Sequence, residues 1–252
     1  MRFVRHACLI LALGAAPGGL AAQIPDSFTN LKVLPRTISK SELLDTMKGF
    51  ALGLGVRCTY CHVGEEGRPL STFDFASDEK PPKHIARVML RMVQAVNADW
   101  IPQLDTIAHT HEGHAHNRAE RVRVQCATCH RGVSRPVMIQ DLLARVIADS
   151  GIESAVARYR SLKAEYYGAF AYDFSQMPLL LLAEDLGRQN NLEAAGRLLQ
   201  LNIETNPQSW LSWQALGNTY AAQGRQEDAK AAWQKSLEIN PRNEQLRRRM
   251  ER

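Results

Sequence analysis

Two short stretches of the chain carry residue types that do chemistry at a fixed spacing. Residues 58–62 read Cys-Thr-Tyr-Cys-His and residues 126–130 read Cys-Ala-Thr-Cys-His. A paired cysteine serves three chemistries. A dithiol redox site needs Cys-x-x-Cys and no following histidine, and a zinc site accepts thiolates and imidazoles without requiring His at the next position. Covalent haem attachment uses both thiols as thioether links and the next His as an iron ligand. Only the third accounts for His62 and His130 following their pairs directly, and for the pattern occurring twice. The expected cofactors are therefore two covalently bound haem c groups, on Cys58 and Cys61 and on Cys126 and Cys129, with zinc as the competing reading.

The start of the chain agrees with that chemistry. Arg2, Arg5 and His6 precede an apolar run at 7–16 and small residues at 18–22. This reads as a secretory signal cleaved near Ala22, too short to span a bilayer. A periplasmic or otherwise exported location is expected. Cys8 lies inside the signal, so the four remaining cysteines are all used by two haems. The formal charge of +5 falls to +3 without Arg2 and Arg5. Four ionised haem propionates would bring it to about −1, so the basic balance gives no reason to expect nucleic acid.

Each histidine-bound iron needs a sixth ligand unless its site is catalytic. The segment 39–55 reads as a helix with a Ser39/Glu42 capping box, an apolar face of Leu43, Met47, Phe50 and Leu54, and an end at Gly53 and Gly55. Met47 is then either an axial ligand or core filling. Pro81 and Pro82 suit the start of a second helix, whose stripe of Ile85, Met89, Met92 and Val96 offers two methionines that periodicity cannot separate. His109, His111, His114 and His116 lie in a polar loop and compete as ligands, or are simply solvated. His84, near the helix start, is expected to be exposed. Residues 63–80 read as loop.

From residue 141 onward the pattern is helical almost throughout. Trp213, Leu216, Gly217, Tyr220, Ala229 and Pro241 stand at tetratricopeptide spacing, with Trp233 where Phe is usual. Pro207 precedes Pro241 by the repeat period of 34. The same shift aligns Leu179, Leu182, Ala195 and Leu199 as a degenerate earlier copy, and 151–167 reads as one further helix. The Arg247–Arg249 cluster reads as a solvated helix end. The expected fold class is mainly α: a dihaem c-type cytochrome domain plus a C-terminal helical tetratricopeptide-repeat array. The expected division is a signal at 1–22, the cytochrome domain at 23–140, a helical connector at 141–176 and repeats at 177–252.

Residues 29–140 resemble the multihaem cytochrome c subunit of photosynthetic reaction centres. The resemblance rests on "SELLDTM", "CTYCH", "ARVMLRMVQAVNADW" and "CATCHRG". It implies that a helix carrying an axial Met precedes each haem motif, so Met47 would pair with His62, and Met89, rather than Met92, with His130. The chain departs from that family in having two haem motifs instead of four, Gln103 where a ligand His is usual after the helix Trp, a His-rich insertion, and a repeat tail.

No acid–base or nucleophile constellation suggests a substrate. The expected function is a periplasmic electron relay between redox protein partners, such as a membrane electron-transfer complex, with a protein or peptide docked on the repeat groove. Competing readings are a dihaem peroxidase or reductase with one open iron site, and a structural subunit of a larger multihaem assembly.

Overall fold

A computed structural model describes the chain at residue 24 and over residues 26–108 and 122–251. The expected signal segment with its expected cleavage point and the His109–His116 candidates lie outside the described residues. The chain forms two compact units, one of Met1–Leu44 with Arg57–Ala95, the other of Asp45–Val56 with Val96–Arg252. The described secondary structure is helical, apart from an isolated antiparallel bridge between Val63 and Asp74. Among the described residues no helix is long and apolar enough to cross a membrane.

Helix α1 (Lys40–Leu54) opens with the expected capping box. The Ser39 N–H donates to Glu42 Oε2 at 3.0 Å, and the Glu42 N–H donates to Ser39 Oγ at 3.3 Å. These satisfy two N–H groups that a helix start leaves without partners. The helix ends where Gly55 takes φ +65°.

In the first unit, a short helix α2 (Cys58–Cys61) is followed by a loop and by α3 (Pro81–Ala95). Asp78 organises this unit. Its carboxylate accepts from Arg87 at 2.7 Å, Lys32 at 2.6 Å and Asn30 Nδ2 at 2.8 Å, with Lys83 at 3.5 Å. Those hydrogen bonds, Arg87 foremost, hold its carboxyl far below the usual carboxylate range. The lead-in at 30–32 is thereby tied to α3. His84 is exposed as expected, with Nε2 2.9 Å from the Asp78 carbonyl.

In the second unit, a π-turn occupies Val96–Trp100, where the sequence reads as one unbroken helix, and α4 (Ile101–Ala108) follows. After α5 (Cys126–His130) come α6 (Ile139–Ser150) and α7 (Ile152–Tyr166). Two helical hairpins follow: α8 (Gln176–Arg188) with α9 (Leu192–Thr205), and α10 (Trp210–Ala222) with α11 (Gln226–Ile239). The short α12 (Glu244–Met250) closes the row. α6 packs on α7, α7 on α9, and α9 on α10, so each hairpin buries its apolar face against a neighbour. Leu179, Leu182, Ala195 and Leu199 are all buried, as the repeat alignment expects.

Side-chain caps start these helices: the Asn191, Ser209 and Asn243 side chains accept from Ala194 N–H, Ser212 N–H and Leu246 N–H. Gly217 is required by contact, because a Cβ there would lie 2.3 Å from Trp233 Cδ1. Asn202, fully buried, donates to the Gln176 carbonyl and to Ser212 Oγ, both at 2.8 Å. It joins α9 to the starts of α8 and α10.

Candidate haem-binding turns

Each cysteine pair sits on one helical turn. Residues three apart on a helix share a face, so Cys58 and Cys61 point to one side of α2, and Cys126 and Cys129 to one side of α5. None of the four is in a disulfide. Burial pushes the Cys61 and Cys126 thiols up, against a downward pull from Lys80 and Lys83 on Cys61.

The second turn is held from three directions. The segment entering it is clamped by Asn97 on the π-turn. The Val124 N–H donates to Asn97 Oδ1 at 2.9 Å, and Asn97 Nδ2 donates to the Val124 carbonyl at 2.8 Å. The Gln125 N–H donates to Thr128 Oγ1 at 2.9 Å and opens α5. At its exit, Arg131 and Gly132 take φ of +49° and +86°, which turns the chain back on itself. The Val133 N–H then donates to the His130 carbonyl, and His130 Nδ1 lies 2.9 Å from the Val133 carbonyl. A carbonyl only accepts, so Nδ1 carries the proton, and in the neutral ring the lone pair is then on Nε2. His130 is buried. Its ring is thus fixed in orientation and tautomer, with one nitrogen available to a metal.

The third direction is α1. The Gly132 N–H donates to the Gly53 carbonyl at 2.9 Å. A Cβ on Gly53 would stand 3.1 Å from the Ala127 nitrogen and 3.3 Å from Cys126 Cβ, and one on Gly55 would stand 2.0 Å from the Gly132 carbonyl oxygen. Two glycines that the sequence marks only as a helix end are the surface on which the second haem motif rests.

The first turn is held by its own loop. The His62 N–H donates to the Cys58 carbonyl at 2.9 Å, ending α2. The His62 ring meets Phe75 edge-on, with centroids 5.0 Å apart, and Phe75 stacks on Phe73. Gly64 leaves room for Phe73, whose ring lies 2.5 Å from where a Cβ would be. Lys83 donates to the Phe75 and Ser77 carbonyls, and Lys80 to the Thr59 carbonyl. Burial, then the charge of Lys83, pushes the His62 pKa down, while the Phe75 backbone pulls the other way. The imidazole is therefore kept neutral, the form that ligates. His62 Nδ1 is buried and makes no hydrogen bond among the described residues.

The methionine candidates lie on the expected helices. Met47 on α1 and Met89 on α3 are half-buried, and Met92 is 46 % exposed. Met47 and His62 belong to different units, as do Met89 and His130. The surroundings suit a flat apolar group. Among the described residues before Ile139, only Leu43, Gly53, His130 and Val133 are buried. α3 buries none of its side chains, and Ile85 and Val88 on its apolar face are 61 % and 60 % exposed. An apolar stripe of this kind is stable in water when something covers it, and a haem macrocycle has the shape and polarity to do so. No group of three or more His, Cys, Asp or Glu side chains able to hold a metal ion exists among the described residues, so the zinc reading finds no ligand cluster there.

Residues 29–148 match the family described as photosynthetic reaction centre cytochrome C subunit. The match takes in both cysteine pairs and a little under half of the chain. A second match, to the tetratricopeptide repeat, covers residues 210–243. The chain is also similar to cytochrome c-554 of Chloroflexus aurantiacus, 37 % identical over 94 residues that make up 37 % of this chain and 18 % of that relative. The chain therefore spans less than a fifth of the length of the relative it matches. Covalently bound haem c is what a cytochrome c domain implies, and the two turns present the thiols and imidazoles it requires.

Proposed function

We propose that the protein is an exported dihaem c-type cytochrome that relays single electrons between redox protein partners and is not an enzyme. One haem would be held by Cys58 and Cys61 with His62 and Met47 as axial ligands, the other by Cys126 and Cys129 with His130 and Met89. The observation that carries this reading is the His130 ring, locked through Nδ1 to the Val133 carbonyl directly after a turn that presents two thiols on one side. A haem held in this way supplies a reversible one-electron iron couple.

The protein's part is to fix and shield. The thiols fix the macrocycle at two points, one helical turn apart. Val133 fixes the His130 tautomer, the Phe75 ring packs edge-on against His62, and burial with the charge of Lys83 favours its neutral form. The thioether sulfur of a helix-borne methionine favours the reduced iron more than a second imidazole does. The residues 23–140 then form the redox part, 141–176 a connector and 177–252 a repeat array that serves as a docking or assembly surface. The leader at 1–22 would direct the chain to the periplasm. Partners are redox proteins, including a membrane electron-transfer complex, with a protein or peptide segment on the repeat groove.

The test is a mass measurement and a spectroscopic redox titration of the matured protein. The expected result is two haems per chain, both low-spin, with the methionine–iron(III) charge-transfer band and no reaction with carbon monoxide. Met47→Ala and Met89→Ala should each remove about half of that band. One haem that is high-spin, or that binds carbon monoxide readily in the unaltered protein, would overturn the relay and favour an enzyme.

A further inference from the structure

The turn that fixes His130 forms one wall of a cavity of about 440 Å³, lined also by residues of α6 and α7 and by the segment after α7. Its size falls in the range of small-molecule sites. Three guanidiniums stand around it: Arg135 from the turn's exit, Arg145 from α6 and Arg158 from α7. None of the three makes an ion pair or hydrogen bond among the described residues, whereas most other described arginines are paired. Asp149 is the one acidic side chain on the lining, so three cations against one anion leave a charge of +2. The remaining wall is apolar and aromatic, with Tyr166 and Tyr172 packed edge to face at 5.4 Å between centroids.

Like charges brought together without counter-ions repel one another, and the cost is relieved when an anion joins them. Guanidiniums match carboxylates in geometry and stack on aromatic faces. A bare inorganic anion would use the arginines and leave the tyrosine wall unused. We propose that this cavity binds a small carboxylate whose body is apolar or aromatic. None of the four cysteines is on the lining, and the proposal rests on the haem propionates of the relay reading lying elsewhere.

The test is calorimetry on the full-length, haem-containing protein at fixed ionic strength, with benzoate as the probe and benzamide as its neutral counterpart. The expected result is one benzoate per chain and much weaker binding of benzamide. Arg145→Gln and Arg158→Gln should each weaken benzoate about tenfold, the loss expected for one charge-assisted hydrogen bond. Arg188→Gln, on α8 and paired with Asp185, should leave binding unchanged. Benzoate binding no better than benzamide, or binding equally to the Arg145 and Arg158 variants, would overturn the proposal. So would a protein that takes up no benzoate at millimolar concentration, the result expected if the haems' own propionates already neutralise the arginines.

Discussion

Gly55→Ala isolates the contact that seats the second haem motif on α1. Two costs add. The residue has φ +65°, and an L side chain in the left-handed region costs about 1–2 kcal/mol. The new Cβ would also stand 2.0 Å from the Gly132 carbonyl oxygen, closer by about 1 Å than such contacts ever come. Both groups are backbone, so relief requires moving the turn that holds His130, at the roughly 1–3 kcal/mol typical of overpacking. The total is about 2–5 kcal/mol. Gly67→Ala is the matched control: φ is +80°, and nothing lies within 4 Å of its Cβ. It should cost only the backbone term, about 1–2 kcal/mol. The assay is guanidinium denaturation of the matured protein followed at the haem absorption, with both variants beside the parent. Gly55→Ala should unfold at the lower denaturant concentration and weaken the methionine–iron band, while Gly67→Ala leaves that band intact. Equal losses in the two variants would refute the docking argument, since only strain would then be at work.

Gly49→Ala, at a helical position with nothing within 4 Å of its Cβ, should stabilise by about 0.5–1 kcal/mol through helix propensity alone, read as a higher denaturation midpoint. Gly217→Ala should destabilise the repeat array by about 1–3 kcal/mol, because the Trp233 ring must be displaced; far-UV circular dichroism on heating reports it. Asn202→Ala removes its side-chain bonds to the Gln176 carbonyl and Ser212 Oγ and the one it accepts from Asn206 Nδ2, at a cost of about 2–3 kcal/mol. Asp78→Asn should lower the melting temperature at neutral pH. The folded-state pKa of Asp78 is depressed, so its contribution is complete above the unfolded value of about 3.9 and is lost as pH falls through the folded one. The melting-temperature gap between parent and variant should therefore be constant from neutral pH down to about 5 and narrow progressively as pH falls below about 4.

Much of the helical framework was legible in the sequence because its signals are local. The Ser39/Glu42 box, the proline pair at 81–82 and the repeat spacing each act within a few residues, and each marks an element boundary in the structure. The two Cys-x-x-Cys-His turns were legible for the same reason, since thiol spacing on one helical turn is a local property. What could not be read is how distant segments close on those turns. Asn97 looks like an ordinary polar residue in a continuing helix, and nothing nearby marks it as the clamp on Val124. Asp78 sits in a polar loop, and only the fold brings Asn30 and Arg87 to it. The π-turn at Val96–Trp100 escapes periodicity, which assumes one pitch throughout.

The contrast between the two parts of the chain follows from where each finds its core. The repeat hairpins bury leucines, alanines and tryptophan against one another, so their stability is written in side chains that match across a period of 34. The cytochrome domain spends its apolar residues differently. Ile85 and Val88 line one face of α3 and touch little protein, while polar groups such as Asp78, Asn97 and Lys83 do the joining of segments. On the proposed reading such a domain gains its apolar contacts from the cofactor and its geometry from hydrogen bonds. Fold and haem content would then be coupled: a haem lost from Cys126 and Cys129 would remove packing as well as redox chemistry. Replacing both of those cysteines by alanine should therefore lower the thermal stability of the cytochrome domain while leaving the melting of the repeat helices nearly unchanged. A domain that keeps its full stability without the second haem would show that the exposed stripe on α3 and the Gly53–Gly132 docking suffice without it, and the coupling of cofactor to fold would fall.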